Sequence, residues 1–329
     1  FIVFLFLERR NKMLLQIIIL IIGFIILVKG ADLFVDAASS LAQNFHLSKM
    51  LIALTIVAFG TSAPEFAVSI KSAITSQGDI VLGNVIGSNI LNILLILGIC
   101  SCIHPLHVKN ATVKKELPIT ILLSALLSVL MCDKFLSGTN LNSLTRSDGI
   151  TIILFFLIFV YYLFASMRNK VADEEEELPK YGMLKSIIFT IFGVICLVLG
   201  SNAVVDSASI IAKMIGVSER LISLTIIALG TSLPELVTST IATKKKEYDI
   251  AIGNVVGSNI FNIGIVLGVP LTIFGGISHF TINYIDVITM LLSAILLFLF
   301  SFKNHRLDKK AGIVFLIIFV IYYSFVIVG

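Results

Sequence analysis

The sequence predicts an all-α integral membrane protein: ten transmembrane helices in two inverted five-helix repeats. Three observations lead there. First, 57% of the 329 residues are hydrophobic and only 13% are charged, with a mean hydropathy of +1.05. A soluble domain is about 45–50% apolar and about 25% charged, so this chain lacks the charge to cover a water-facing surface. A soluble enzyme, a nucleic-acid binder and a disordered scaffold all fit poorly. Second, ten apolar runs are long enough, or nearly so, for the roughly 20 residues a helix needs to cross a bilayer. Third, two polar motifs recur at one fixed spacing, once in each half of the chain.

In chain order the spans are expected at 14–36, 47–71, 79–103, 117–133, 149–167, 186–208, 219–242, 249–274, 282–302 and 311–328. Ahead of them, Phe1 to Leu7 is apolar and Glu8 to Lys12 charged, the wrong order for a signal peptide. A start at Met13 is the plainer expectation, so residues 1–12 stand outside the expected fold. The first repeat is expected over 13–167 and the second over 186–329. Between them, 168–185 carries Asp173, Glu174, Glu175, Glu176 and Glu177 and is expected to be a solvated linker. Cys100, Cys102, Cys132 and Cys196 lie in or beside apolar runs without CxxC spacing, so they are expected to be small apolar side chains. His46, His104, His107, His279 and His305 show no metal-ligand spacing.

Orientation follows from the basic residues of the loops. With the N-terminus outside, fifteen Lys and Arg residues fall in cytoplasmic loops, and Lys71, Lys134, Arg146, Lys213 and Arg220 fall outside. Both termini are therefore expected outside a plasma membrane and the acidic linker in the cytoplasm. Lys29 is expected to snorkel or to pair with Asp32. Asp36 and its counterpart Asp206, near the ends of their helices, are expected to reach headgroups or cap a neighbour.

Ala58-Phe59-Gly60-Thr61-Ser62-Ala63-Pro64-Glu65 recurs as Ala228-Leu229-Gly230-Thr231-Ser232-Leu233-Pro234-Glu235. Gly83-Asn84-Val85-Ile86-Gly87-Ser88-Asn89-Ile90-Leu91-Asn92 recurs as Gly253-Asn254-Val255-Val256-Gly257-Ser258-Asn259-Ile260-Phe261-Asn262. Every pair is 170 residues apart, so no gap falls between the motifs in either half. Five is odd, so the second copy must enter the membrane from the opposite side. Inverted repeats with broken polar helices are a recurrent design of secondary transporters.

In the first motif Thr61 and Glu65 share a helix face, with Ser62 one step round. Pro64 lacks an N–H and clashes with the carbonyl four residues back, so carbonyls near Ala58 to Thr61 should be partly freed; the same holds for Pro234 near Ala228 to Thr231. Freed backbone within a bilayer must be buried or line a wet cavity. In the second motif Asn84, Ser88 and Asn92 repeat every four residues, as do Asn254, Ser258 and Asn262. Gly83 with Gly87, and Gly253 with Gly257, have the spacing that lets helices approach closely. Ser88 and Ser258, a turn from Asn92 and Asn262, are expected at a site. Asn84, Asn89, Asn254 and Asn259 are equally compatible with joining helices.

Glu65 and Glu235 matter most. A charge in the bilayer core costs about 2.5–3.5 kcal/mol even on the lenient insertion scale. No Lys or Arg in the four motifs could pair with them, so a cation or proton is expected to. Two carboxylates, four hydroxyls and several carbonyls suit Ca²⁺, which takes six to eight oxygens in flexible geometry, or a group of Na⁺ ions. If one ligand set accepts either ion, the two compete, and competition at a single alternating site is exchange.

At these residues the chain resembles the prokaryotic sodium/calcium exchanger family of the cation/calcium exchanger superfamily, whose two alpha-repeats the GTSxPE and GNxxGSNxxN elements match. The resemblance implies that Glu65 and Glu235 ligate Ca²⁺ together with carbonyls of Thr61 and Thr231. It implies Na⁺ sites at the Ala58 and Ala228 carbonyls with Thr61, Ser62, Ser88, Thr231, Ser232 and Ser258. It further implies that the first and sixth helices slide against the remaining bundle, with several Na⁺ exchanged per Ca²⁺. Some members carry Asp where this chain has Asn92 or Asn262, which bears on the Na⁺ count.

The expected protein is a Na⁺/Ca²⁺ antiporter, not an enzyme, with its candidate metal ligands completed by Asn92 and Asn262. Ca²⁺ and Na⁺ are its substrates and the bilayer its surroundings, with no cofactor, nucleic acid or obligate protein partner. A Ca²⁺/H⁺ antiporter is the near alternative and a cation channel the distant one.

Overall fold

The computed structural model describes residues 2–136, 138, 142–167, 178–280 and 283–328. The chain is helical almost throughout, because apolar runs of this length can satisfy their backbone in lipid only by bonding within the segment. α1 is Ile2–Asn44. α2 (Lys49–Thr61) and α3 (Ala63–Ile74) meet at a bend of 47°. α4 is Gly78–Ile103, α5 covers 112–130 and α6 is Arg146–Met167. α7 (Met183–Met214) opens the second half, with α8 over 219–230 and α9 at Leu233–Lys244. α10 (Tyr248–Phe274), α11 (Tyr284–Asn304) and α12 (Lys309–Val328) complete the bundle. Among the described residues seven helices are long and apolar enough to cross a membrane, and α2 with α3 makes an eighth if the bent pair is one span.

α4 and α10, which carry the second motif, are the enclosed helices of the bundle. Around them lies one apolar core that includes Val85, Ile90, Leu94, Phe159, Val255, Ile260 and Leu297. α1 and α7 pack along each other outside this core. Gly30 lies so close to Cys196, and Gly193 to Phe34, that an added Cβ would fall 2.5 Å and 2.7 Å from those side chains. Small residues allow such contact where lipid supplies no hydrophobic drive for association. The free faces of α1 and α7 present Ile18, Ile21, Ile25, Ile188, Ile191 and Leu199 outward.

The bends fall where the prolines place them. Ser62 (φ −81°, ψ 7°) and Ser232 (φ −89°, ψ 7°) leave the helical region, and α3 and α9 restart with Pro64 and Pro234 in their first turns. Proline is tolerated there because the first N–H groups of a helix have no intrahelical partner anyway. α2 and α8 also contain π-helical stretches, Ala53–Val57 and Ser223–Ile227, that match at the 170-residue spacing. Leu91–Leu97 in α4 and Asn262–Leu267 in α10 form a second such pair.

Several expectations need correction. α1 runs to Asn44, not to 36, and includes residues set outside the expected fold. α7 extends to Met214 instead of 208. α5 begins with a π-helical turn at Thr112–Glu116, ahead of the expected 117. Two short strand pairs also join loops: Leu106–His107 with Arg306–Leu307 at one end of the bundle, and Asn142–Thr145 with Gly276–Phe280 at the other. The acidic run Asp173 to Glu177 lies outside the described residues.

α1 continues past residue 36 because its carboxylates are paired there. Asp36 Oδ2 lies 2.5 Å from Lys180 Nζ, and its Oδ1 lies 2.6 Å from Lys245 Nζ. Asp32 pairs with Lys245 at 2.8 Å instead of with Lys29. Lys49 and Glu247 add a pair at 3.0 Å. At the matching end of α7, Asp206 is exposed.

Candidate cation site

The site forms where the two broken helix pairs meet. Each break starts a new helix, α3 or α9, with its glutamate in the first turn. A helix N-terminus carries partial positive charge from its unpaired N–H groups and so suits a carboxylate. Both Glu65 and Glu235 are fully buried, at 0% exposure.

The halves interlock by exchanging hydroxyls. Ser232 Oγ donates to Glu65 Oε1 at 3.1 Å, and Ser62 Oγ donates to Glu235 Oε1 at 3.0 Å. Each carboxylate is thus held by the serine beside the other one. Ser88 Oγ lies 3.2 Å from Ser232 Oγ, and Ser258 Oγ lies 3.4 Å from Glu235 Oε1 and 3.4 Å from Thr61 Oγ1. These contacts form two matching polar sets, Glu65 with Ser232 and Ser88, and Glu235 with Ser62, Ser258 and Thr61. Thr231 is half-buried.

Four oxygens of this region are buried yet accept no hydrogen bond: Glu65 Oε2, Glu235 Oε2, Asn92 Oδ1 and Asn262 Oδ1. Buried acceptors are normally satisfied, and leaving one unsatisfied costs about 1–3 kcal/mol, more for a charged group. Two carboxylate and two amide oxygens in symmetric positions make a donor set for a hard cation. Among the described residues no Lys or Arg forms an ion pair with either glutamate. Nor do three or more His, Cys, Asp or Glu side chains gather anywhere among them. All-oxygen ligation with few charges suits Ca²⁺ or Na⁺ and gives nothing to a soft transition metal.

The asparagines separate by role. Asn84 Nδ2 donates to the Glu65 main-chain carbonyl and to Ser69 Oγ, both at 3.0 Å. Asn254 does the same with the Glu235 carbonyl at 3.4 Å and Ser239 Oγ at 2.9 Å. These two brace the glutamate helices against α4 and α10. Asn254 Oδ1 also accepts from Thr61 Oγ1 at 2.9 Å. Ser69 and Ser239 were not singled out by sequence, although the 170-residue match identifies them as a pair. The Ala58 carbonyl is less free than the proline argument suggests, accepting from Ser62 N at 3.0 Å and Thr61 Oγ1 at 3.3 Å. The Gly230 carbonyl takes Ser201 Oγ at 2.8 Å.

A third buried carboxylate stands apart. Glu116, 2% exposed, accepts from the Tyr162 hydroxyl at the start of α5. In the second half Asp286 likewise accepts from Tyr322, at 3.0 Å. Sequence reading placed Glu116 near a helix end without foreseeing its burial, because its partner lies on another helix.

The two copies are not packed alike. An added Cβ on Gly253 or Gly257 of α10 would meet Ala53 or Ala58 of α2 at 2.6 Å. Among the described residues the matching glycines of α4, Gly83 and Gly87, have nothing within 4 Å. α10 is thus closed against α2, while α4 has no such neighbour at its glycines among the described residues.

Comparison with known proteins agrees with this architecture. The family model described as sodium/calcium exchanger protein matches residues 15–165 and 185–328. The chain is 38% identical over 276 residues to the inner membrane protein YrbG of Escherichia coli, covering 80% of this chain and 82% of that one. It is 28% identical over 339 residues to the sodium/calcium exchanger MaX1 of Methanosarcina acetivorans, covering 92% and 96%. A solved structure of the sodium-calcium exchanger NCX_Mj, soaked with Na⁺ and Sr²⁺, superposes with a TM-score of 0.81 at 31% identity over 94% of this chain and 98% of that one.

Proposed function

Because the chain belongs to the sodium/calcium exchanger family, we propose that it exchanges Na⁺ for Ca²⁺ by alternating access at the site shared by Glu65 and Glu235. One observation carries this function: a fully buried glutamate from each half, each held by the other half's serine, with an oxygen left over for a cation. Two carboxylates neutralise one Ca²⁺. Removing that ion leaves like charges together in a low-dielectric interior, an arrangement that the entry of Na⁺ relieves. A site able to hold one ion or the other, but not neither, couples the two fluxes.

The proposed ligands are Glu65, Glu235, Thr61, Thr231, Ser62, Ser232, Ser88, Ser258, Asn92 and Asn262, with the Ala58 and Ala228 carbonyls. The hydroxyls favour Na⁺ over H⁺ as coupling ion, since a proton needs no ligand shell. Ten crossings are proposed, in repeats 13–167 and 186–329 joined by a cytoplasmic linker at 168–185. α2 with α3, and α8 with α9, each count as one broken span. The proposed setting is the plasma membrane with both termini outside. Switching would exchange the two glycine packings, with α8 closing on Gly83 and Gly87 as α2 leaves Gly253 and Gly257. The α1–α7 pair would slide with them.

Purified protein in Na⁺-loaded liposomes should take up Ca²⁺ when external Na⁺ is removed. Uptake that follows an imposed pH gradient and ignores Na⁺ would replace Na⁺ with H⁺ as the coupling ion. Flux without any countertransport would support the channel alternative.

A further inference from the structure

Asn89 and Asn259, each 1% exposed, bond to one another across the bundle, and their side-chain hydrogen bonds go to asparagines, not to a glutamate. Asn89 Nδ2 donates to the Asn259 main-chain carbonyl at 3.3 Å, and Asn259 Nδ2 donates to the Asn89 main-chain carbonyl at 3.2 Å. A main-chain carbonyl can only accept. The amide edge facing it must therefore be the NH₂ edge, which fixes the orientation of both side chains. Both Oδ1 atoms then lie on the opposite edges. There Asn89 Oδ1 accepts from Asn262 Nδ2 at 3.1 Å, and Asn259 Oδ1 accepts from Asn92 Nδ2 at 3.0 Å.

The constraint passes one step further. Asn92 and Asn262 must turn their NH₂ groups to this ring, so their carbonyl oxygens face away from it. Those are the two amide oxygens that accept no hydrogen bond. Asn92 is one turn along from Ser88, and Asn262 one turn along from Ser258, which bonds Glu235. With the opposite flip each would present an NH₂ group to the ion, and a cation is repelled by that end of the dipole.

We infer that Asn89 and Asn259 are positioning residues that hold Asn92 and Asn262 carbonyl-inward, making both into cation acceptors. Each half orients the amide of the other, so the ion site depends on the two repeats being docked. The inference rests on the exchange site proposed above and adds a layer of residues that contact no ion.

The test is a double-mutant cycle on Asn92 and Asn259, read by equilibrium ⁴⁵Ca²⁺ binding to the purified full chain and its displacement by Na⁺. Asn92→Ala and Asn259→Ala should each weaken Ca²⁺ binding, raising its dissociation constant by roughly tenfold. The double variant should be no worse than Asn92→Ala, because Asn259 acts through Asn92. Additive losses would overturn the inference. So would an Asn259→Ala protein with a lowered melting temperature and unchanged ion affinity. If Asn259→Ala fails to fold, Asn259→Ser takes its place in the cycle, and the mirror cycle on Asn89 and Asn262 must give the same pattern. If Na⁺ fails to displace Ca²⁺ from wild-type protein, Na⁺ exchange is lost as a function. The same cycle read on Ca²⁺ affinity alone still decides the amide orientation.

Discussion

Neutralising either buried glutamate should stop transport without unfolding the chain. Glu65→Gln keeps the shape and an oxygen for Ser232, while removing half the charge that binds a divalent ion. Relieving a buried unpaired carboxylate does not destabilise a fold. Expected outcomes for Glu65→Gln and Glu235→Gln are Ca²⁺ flux at background level and a melting temperature at or above wild type. Wild-type-like flux in either would remove that glutamate from the site. The glutamates and serines were legible in the sequence because they repeat and because no basic residue accompanies them. The division of labour among the asparagines was not. Whether Asn84 braces a helix or binds an ion depends on which carbonyl lies 3.0 Å from its amide, and that is decided by the crossing of two helices, not by spacing along one.

At the scale of elements, the break before each glutamate was readable from proline chemistry, and both breaks fall at the serine two residues ahead of the proline. The π-helical stretches flanking the motifs were not readable, since one extra residue in a turn leaves no mark in an apolar run. Such bulges recur at functional sites, and here they begin at or adjoin the residues that carry the ligands. The glycines make the element-level prediction. Gly257→Ala would drive a methyl into Ala58 and the Leu54 backbone, the latter at 3.0 Å. Overpacking of this kind costs about 1–3 kcal/mol, so a lowered melting temperature is expected. Gly87→Ala enters open space and should leave the melting temperature unchanged. It should nevertheless slow exchange, because the alternate packing needs that surface. Equal destabilisation by both substitutions would contradict the asymmetry.

For the molecule as a whole, the recurrence of both motifs was legible in the sequence, while the state of the bundle was not. Two copies of one sequence pattern adopt different environments, so symmetry in the sequence cannot say which copy is closed. The ion pairs show what favours the observed packing. Asp32, Asp36, Lys180 and Lys245 tie α1 to the end of α9 and to the segment just before α7. The counterparts of Asp32, Asp36 and Lys245 at the other end, Asn202, Asp206 and Thr75, carry a single charge. Exposed pairs are individually worth little, but several converging at one end bias a two-state equilibrium. Lys245→Gln is therefore expected to retain exchange while favouring the opposite packing. In a Gly83→Cys background this would be read as slower labelling by a membrane-impermeant maleimide. An unchanged labelling rate would show that the network does not set the balance.

The central claim is that the two halves build a single cation site from one glutamate each. Its most direct test is the stoichiometry of Ca²⁺ binding to the purified protein in Na⁺-free buffer, measured by isothermal titration calorimetry. The account predicts one Ca²⁺ per chain, lost in Glu65→Gln and lost equally in Glu235→Gln, and displaced from wild type by Na⁺. Two Ca²⁺ per chain, or full binding retained by either variant, would contradict it.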